Sequence, residues 1–449
     1  MMNLIHFFSV SPDKSPLTDM SEIKQRYKRL RWSVFLSATF GYGMYYVCRL
    51  SLNVIKKPIV DAGVLSETEL GIIGSSLFIT YAVGKFVNGF LADRSNIRRF
   101  LSVGILISAL INLALGFTNS FYFFVALWAV NGWVQSMGAA PCVVGLSRWF
   151  SEKERGTFYG LWSSSHNIGE ALTFIFTAWI VSIAGWQWGF KGAGFIGLLG
   201  FLIFALFMRD TPGSYGLPPI AQFKGDKPKE STVAIDKAAI AKAQRETLRN
   251  PAIWMLALSA AFMYISRYAV NSWGIFFLEA NKGYSNIEAS SIVSISSVCG
   301  IIGTMSCGWI SDRFFGGRRN LPALIFGIMN VLGLSLFLFG PKDNIIIDSI
   351  SMIIFGLAIG ALICFLGGLM ATDIASKLSS GAALGIVGVA SYVGAAIQDV
   401  VSGLTIERNK VMVDGVAHYD FSFVSWFWVG AAILSIICAL TVWNAKHKD

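Results

Sequence analysis

The chain predicts an all-α membrane protein of twelve transmembrane helices arranged as two pseudo-symmetric six-helix halves. Three observations predict this. Of 449 residues, 54% are hydrophobic and only 14% are charged, too apolar for a soluble globular chain. Apolar stretches of about 20 residues recur along the whole length, each enough to cross a bilayer core. The second half also repeats landmarks of the first at a nearly fixed offset.

Residues 1–31 read as a basic cytoplasmic segment carrying Lys14, Lys24, Arg26, Lys28, Arg29 and Arg31. They hold no short apolar core followed by a small-residue cleavage site, so a cleaved signal is not expected. The run from Ser21 to Arg31 is helix-compatible and suits a surface of anionic lipid headgroups. Spans near 33–57, 67–92, 100–118, 121–146, 156–182 and 187–208 make an N-terminal half over residues 32–208. Composition then breaks: Thr211-Pro212-Gly213, Pro218-Pro219, a lysine-rich run around 224–230 and a charged helical stretch from Asp236 read as a cytoplasmic linker over 209–250. Spans near 251–278, 287–310, 320–340, 345–370, 381–405 and 420–443 make a C-terminal half over 251–443, leaving 444–449 as a tail.

The net charge of +10 is a topology signal rather than a nucleic-acid footprint. With the N-terminus inside, most of the 36 Lys and Arg residues fall on that side. Lys56, Lys57, Lys191, Lys282, Lys342, Arg408 and Lys410 are the outside set, so both termini are cytoplasmic by the positive-inside rule. The six cysteines all fall in spans with no C-x-x-C spacing and read as inert thiols. No metal-ligand cluster, nucleotide-binding glycine loop or paired catalytic carboxylates are present, which argues against an enzyme and calls for no cofactor.

Gly89-Phe90-Leu91-Ala92-Asp93-Arg94 follows the second span, and Gly308-Trp309-Ile310-Ser311-Asp312-Arg313 follows the eighth, the aspartates 219 residues apart. Arg49 and Arg267, each late in the first span of its half, are 218 apart. Two features repeated in register indicate a duplicated transporter. Glycine permits close helix packing there, and Asp93, Arg94, Asp312 and Arg313 are expected to shape a gate.

An arginine inside a span costs roughly 2.5–3.5 kcal/mol on insertion scales and marks a functional site. Only Arg49, Lys85 and Arg267 are read as basic residues within spans, Lys85 having no counterpart in the second half because the offset leads to Thr304. His166 lies in span five, and Glu170, one turn later, is the only acid placed deep in a span, as a proton or salt-bridge site. Asp399 and Glu279 fall towards span ends. The surplus of positive charge calls for a bound anion. Two guanidinium forks, one per half, suit the oxygens of a phosphate dianion, with Lys85 adding a point charge and His166 a hydrogen bond or proton. Tyr42, Tyr45, Tyr46, Tyr81 and Tyr264 surround these positions, for packing or for an organic moiety.

The Gly…Asp-Arg…Arg loop resembles the major facilitator superfamily. Arg49 after a tyrosine pair, Ile79-Thr80-Tyr81…Lys85-Phe86, Arg155-Gly156-Thr157, Trp162…His166-Asn167-Ile168-Gly169 and Tyr264…Arg267…Trp273-Gly274 resemble its organophosphate:phosphate antiporter family over residues 20–443. Gly63-Val64-Leu65-Ser66, Ser75–Phe86 and Asp93-Arg94-Ser95-Asn96 lean towards the hexose-phosphate transporter and sensor branch. The resemblance implies sugar-phosphate uptake in exchange for inorganic phosphate by rocking of the halves. It also implies Arg49 and Arg267 as phosphate ligands with Lys85 and His166 contributing, in a bacterial inner membrane. The chain departs from the family at Leu50, where lysine is usual, and at Asn271-Ser272-Trp273, where an aspartate is usual. Leu384 and Val387 replace an Asp and a Lys of the hexose-phosphate type, and Glu170 stands where glycine is common. These departures leave the organic part of the substrate open.

The expected activity is exchange of a sugar phosphate, hexose 6-phosphate above all, or a related organophosphate for inorganic phosphate. Like charges resisting closure of an empty site favour obligate exchange. The rivals are a hexose-phosphate sensor with a sensor-kinase partner and a proton-coupled organic-anion symporter using Glu170 and His166. A monomer in contact with membrane lipid, with no nucleic-acid partner, is expected.

Overall fold

The computed structural model describes residues 6–225, 237–316, 318–376 and 379–445. The lysine-rich run beyond Gly225 and the last four residues lie outside the described residues. Spans 1 to 6 are Met20–Asp61, Glu67–Asp93, Ile97–Leu115, Phe121–Gln135 with Ala139–Trp149, Glu152–Ser163 with Ser165–Ala184, and Trp186–Phe207. Spans 7 to 12 are Pro251–Lys282, Asn286–Phe314, Asn320–Phe339, Ile345–Ile374, Ser380–Arg408 and Ser422–Thr441.

Ten of these helices are long and apolar enough by themselves to cross a membrane. The other two, spans 1 and 4, fall short for visible reasons. Span 1 spends its middle on Gly41, Tyr42, Gly43, Tyr45, Tyr46 and Arg49, and span 4 breaks at Ser136-Met137-Gly138 into helices of 15 and 11 residues. Packing rather than hydropathy secures them, since their interior faces touch protein. The tertiary repeat extends to helix starts. Ser66 and Ser285, 219 residues apart, each cap their helix in a two-way box with a glutamate three residues on.

The basic N-terminal run is continuous with span 1, forming one 42-residue helix capped by Asp19, whose carboxylate takes the Ser21 amide and is held below its usual range by it. Ile23 and Tyr27 are buried, Tyr27 stacking on Phe223 and donating to the Pro218 carbonyl.

An antiparallel hairpin, β1 (Lys410–Val413) with β2 (Val416–Tyr419), joins spans 11 and 12. It marks one end of the molecule, the hairpin end; the opposite end, where residues 6–19 pack on the loop between spans 2 and 3, is the termini end. Asn96, for example, binds Phe8 and Ser11 there.

The halves meet along spans 2 and 11 and along spans 5 and 8. Glycines record how that contact changes along the axis. A Cβ at Gly403 would lie 2.4 Å from the Glu67 carbonyl, and one at Gly71 the same distance from the Asp399 carbonyl, so the backbones touch at the hairpin end. At Gly388 the nearest atom is Lys85 Nζ at 3.7 Å, and at Gly385 and Gly381 nothing lies within 4 Å. Spans 5 and 8 follow suit: Ser297 bonds Glu170 and Gly300 faces Asn167, whereas Gly308 and Gly160 meet open space. The halves form a V, closed at the hairpin end and splayed at the termini end.

Candidate functional site

Arg49 descends from span 1 and Arg267 from span 7, and both are almost wholly buried, at 4% and 7% exposure. Their equivalent positions put them on the inner faces of the two halves, where spans 1 and 7 approach each other. Five tyrosines stand around them. The Arg49 guanidinium lies 4.2 Å from the Tyr81 ring centre and 5.6 Å from those of Tyr46 and Tyr392. Its Nη2 donates to the Tyr268 hydroxyl at 3.5 Å. The Tyr268 ring in turn stands 5.5 Å from the Arg267 guanidinium, so one phenol spans the two halves' arginines. Ring faces carry partial negative charge and stabilise a desolvated cation by up to about 2 kcal/mol each.

The two arginines differ in their anions. Arg267 Nη2 lies 3.8 Å from Glu170 Oε2, a long ion pair. Glu170, 4% exposed, belongs to span 5, while its Oε1 accepts from Asn271 Nδ2 on span 7 at 2.9 Å and Ser297 Oγ on span 8 at 2.6 Å. For Arg49, no carboxylate lies within ion-pair distance among the described residues, and its Nε has no partner. A buried guanidinium supported only by rings and a phenol has unused donors aimed at whatever anion arrives.

The remaining expected residues fall at different depths. His166 is half-buried, its ring 5.7 Å from Tyr46. Its Nδ1 faces the Ser163 carbonyl at 2.5 Å. A carbonyl only accepts, so Nδ1 carries the proton, and it is Nε2 that a neutral ring would leave to accept. Lys85 is exposed, on the splayed side, with Nζ 5.5 Å from the Tyr392 ring. Tyr42 stacks near Trp162 at 5.0 Å, and Tyr264 stands 5.6 Å from both Arg267 and Tyr392. Asp93, Arg94, Asp312 and Arg313 are exposed at the termini end; Asp312 pairs with Arg319 of its own half at 2.7 Å.

Three sequence expectations need correcting. Tyr45 is not beside the arginines: it is fully buried inside the N-terminal half, its hydroxyl spent on the Leu101 carbonyl at 2.9 Å. Lys56 is not an outside lysine but a fully buried one, 3.3 Å from Asp399 of span 11 and 2.7 Å from Ser272 Oγ, above the Trp273 ring. Glu170 is therefore not the only deep acid, since Asp399 also accepts from Ser272 and Trp273 at 2.6 and 2.7 Å, and Asp348 is buried against Lys282. Sequence reasoning also missed Tyr268 and Tyr392. The first had a signal, because the 219-residue offset from Arg49 lands on it; the second, on span 11, had none.

Comparison with known proteins identifies the family and the fold. The Major Facilitator Superfamily profile matches residues 33–398. A probable hexose phosphate transport protein of Chlamydia trachomatis is 32% identical over 96% of this chain and 95% of its own length. The membrane sensor protein UhpC of Salmonella typhimurium is 31% identical over 87% of this chain and 89% of its own. Among solved structures, a bacterial homologue of the human lysosomal transporter Spinster, inward-facing and unoccupied, superposes with a TM-score of 0.73 over 94% of this chain and 99% of its own, at 18% identity, and so shares its fold. Matched along most of its length, and aligned almost end to end with relatives above 30% identity, this multi-pass membrane protein belongs to the major facilitator superfamily, within its organophosphate:phosphate antiporter family.

Proposed function

We propose that this chain is a secondary carrier that exchanges a sugar phosphate, of the hexose 6-phosphate class, or a related organophosphate for inorganic phosphate by alternating access. One observation carries the reading: an arginine from each half enters the same tyrosine cluster, and Arg49 has no carboxylate among the described residues. A phosphate dianion between two such forks supplies the missing charge and ties the halves together. Lys85, on the open side, draws the anion in, and His166 offers Nε2 to a protonated phosphate oxygen.

The V supports alternating access. With the basic termini end placed in the cytoplasm by the positive-inside rule, the splayed state faces inward. Outward opening requires spans 2 and 11 and spans 5 and 8 to close at the termini end. It also requires parting Lys56 from Asp399, Glu67 from Lys410 and Tyr419, and Thr68 from Glu407 at the hairpin end. Asp93, Arg94, Asp312 and Arg313 stand where that closure occurs. The carrier works as a monomer in a bacterial inner membrane.

The relative named a sensor supports a second reading, a receptor that reports ligand to a cytoplasmic partner. Counterflow in proteoliposomes separates the two. A carrier loaded with unlabelled phosphate accumulates labelled phosphate and is inhibited by glucose 6-phosphate; a pure sensor shows no substrate-stimulated flux. A panel of glucose 6-phosphate, glycerol 3-phosphate and phosphoglycerate then ranks the organic group.

A further inference from the structure

We infer that Glu170 is a built-in counter-anion that allows this carrier to change face without ligand, so that it also moves its organophosphate in net, unpaired fashion. The inference rests on the exchange reading and deepens it. A site holding Arg49 and Arg267 with no anion gathers like charge as the halves close, which locks an empty carrier in place. Here the lock is incomplete. Glu170 comes from the N-terminal half, and its carboxylate already lies 3.8 Å from the arginine of the C-terminal half.

Among the described residues the carboxylate is held there by groups of the C-terminal half: Asn271 at 2.9 Å and Ser297 at 2.6 Å, both on Oε1. Oε2 is left facing Arg267 at a distance beyond a hydrogen bond. Glu170 therefore does part of what a phosphate would do, bridging the halves through the same guanidinium. The contact is too long to occupy the fork, so a dianion with two or three oxygens outcompetes it. Arg49, 218 residues earlier in the repeat, has no such partner among the described residues, so the substitute is one-sided. An empty site with one of its two guanidiniums compensated is what reorientation without cargo requires.

The test uses the full chain in proteoliposomes loaded with labelled inorganic phosphate. Efflux is measured into buffer without substrate, for net flux, and into buffer with unlabelled phosphate or glucose 6-phosphate, for exchange. The wild type is expected to show net efflux as a measurable share of exchange. Glu170→Gln keeps a side chain able to bond Asn271 and Ser297 but removes the charge, and Glu170→Gly removes both. Each is expected to lower the ratio of net to exchange flux roughly tenfold. Negligible net efflux from the wild type overturns the inference, as does a ratio unchanged in Glu170→Gln; the wild-type arm decides even where a variant fails to insert. A wild type lacking both exchange and net flux overturns the carrier reading itself, and this inference with it.

Discussion

Asp399→Asn should loosen the hairpin end. In the wild type Lys56 and Asp399 are both buried, from opposite halves, 3.3 Å apart. Removing one partner of a buried ion pair leaves the other charge stranded at a cost of about 3–5 kcal/mol. Lys56 keeps two consolations: the Ser272 hydroxyl at 2.7 Å, worth roughly 1.5 kcal/mol to a charged donor, and the Trp273 ring face 3.8 Å away, worth about 2 kcal/mol to a desolvated cation. The net loss from the closed hairpin end is at most about 1.5 kcal/mol, or up to roughly a tenfold shift towards opening. Ala62 and Met412 are exposed on the two halves at that end. Nitroxides at Ala62→Cys and Met412→Cys, with the six native cysteines replaced, report the separation by pulsed electron resonance. Wild type should give one short distance, and Asp399→Asn a second, longer population. Replacing both partners with apolar residues, Lys56→Met with Asp399→Leu, should shift it less, because no charge is stranded. A single unchanged distance in Asp399→Asn would refute the latch.

Arg49→Lys and Arg267→Lys should each cut exchange by at least about tenfold, since a point charge lacks the fork; full activity in either would reduce the site to charge alone. His166→Ala should weaken phosphate binding several-fold, measured as the half-saturation of counterflow, and an unchanged half-saturation removes its proposed contact. Tyr268→Phe strips the hydroxyl that takes Arg49 Nη2 and should weaken phosphate binding several-fold, measured as the half-saturation of counterflow. Tyr45→Phe, by contrast, should lower thermal stability by about 1 kcal/mol through the lost hydrogen bond to the Leu101 carbonyl while exchange persists.

Much of the candidate site was legible because charge in oil is rare and the duplication aligns it. Arg49, Arg267 and Lys85 announced themselves by the cost of their position, and His166 by its place on a span. Lys56 escaped because it sits beside Lys57 at the predicted end of span 1 and looked like a second surface lysine. The helix instead runs on to Asp61; Lys57 turns to Asp61, and Lys56, about 100° around the helix, turns inward to Asp399. Tyr45 misled for the same geometric reason, lying one residue from Tyr46 but on another face.

The amino-acid sequence by itself determined the helical membrane fold, the two halves, the internal repeat and the place of Arg49 and Arg267 within spans, because each follows from local composition and spacing. Only the tertiary structure decided which charges meet. Glu170 finds Arg267, Asn271 and Ser297, Lys56 finds Asp399 across 343 residues, and Arg49 meets no acid among the described residues. Those pairings depend on how each helix is rotated and tilted against its neighbours in the other half, and helical periodicity records a face without recording what the face will touch.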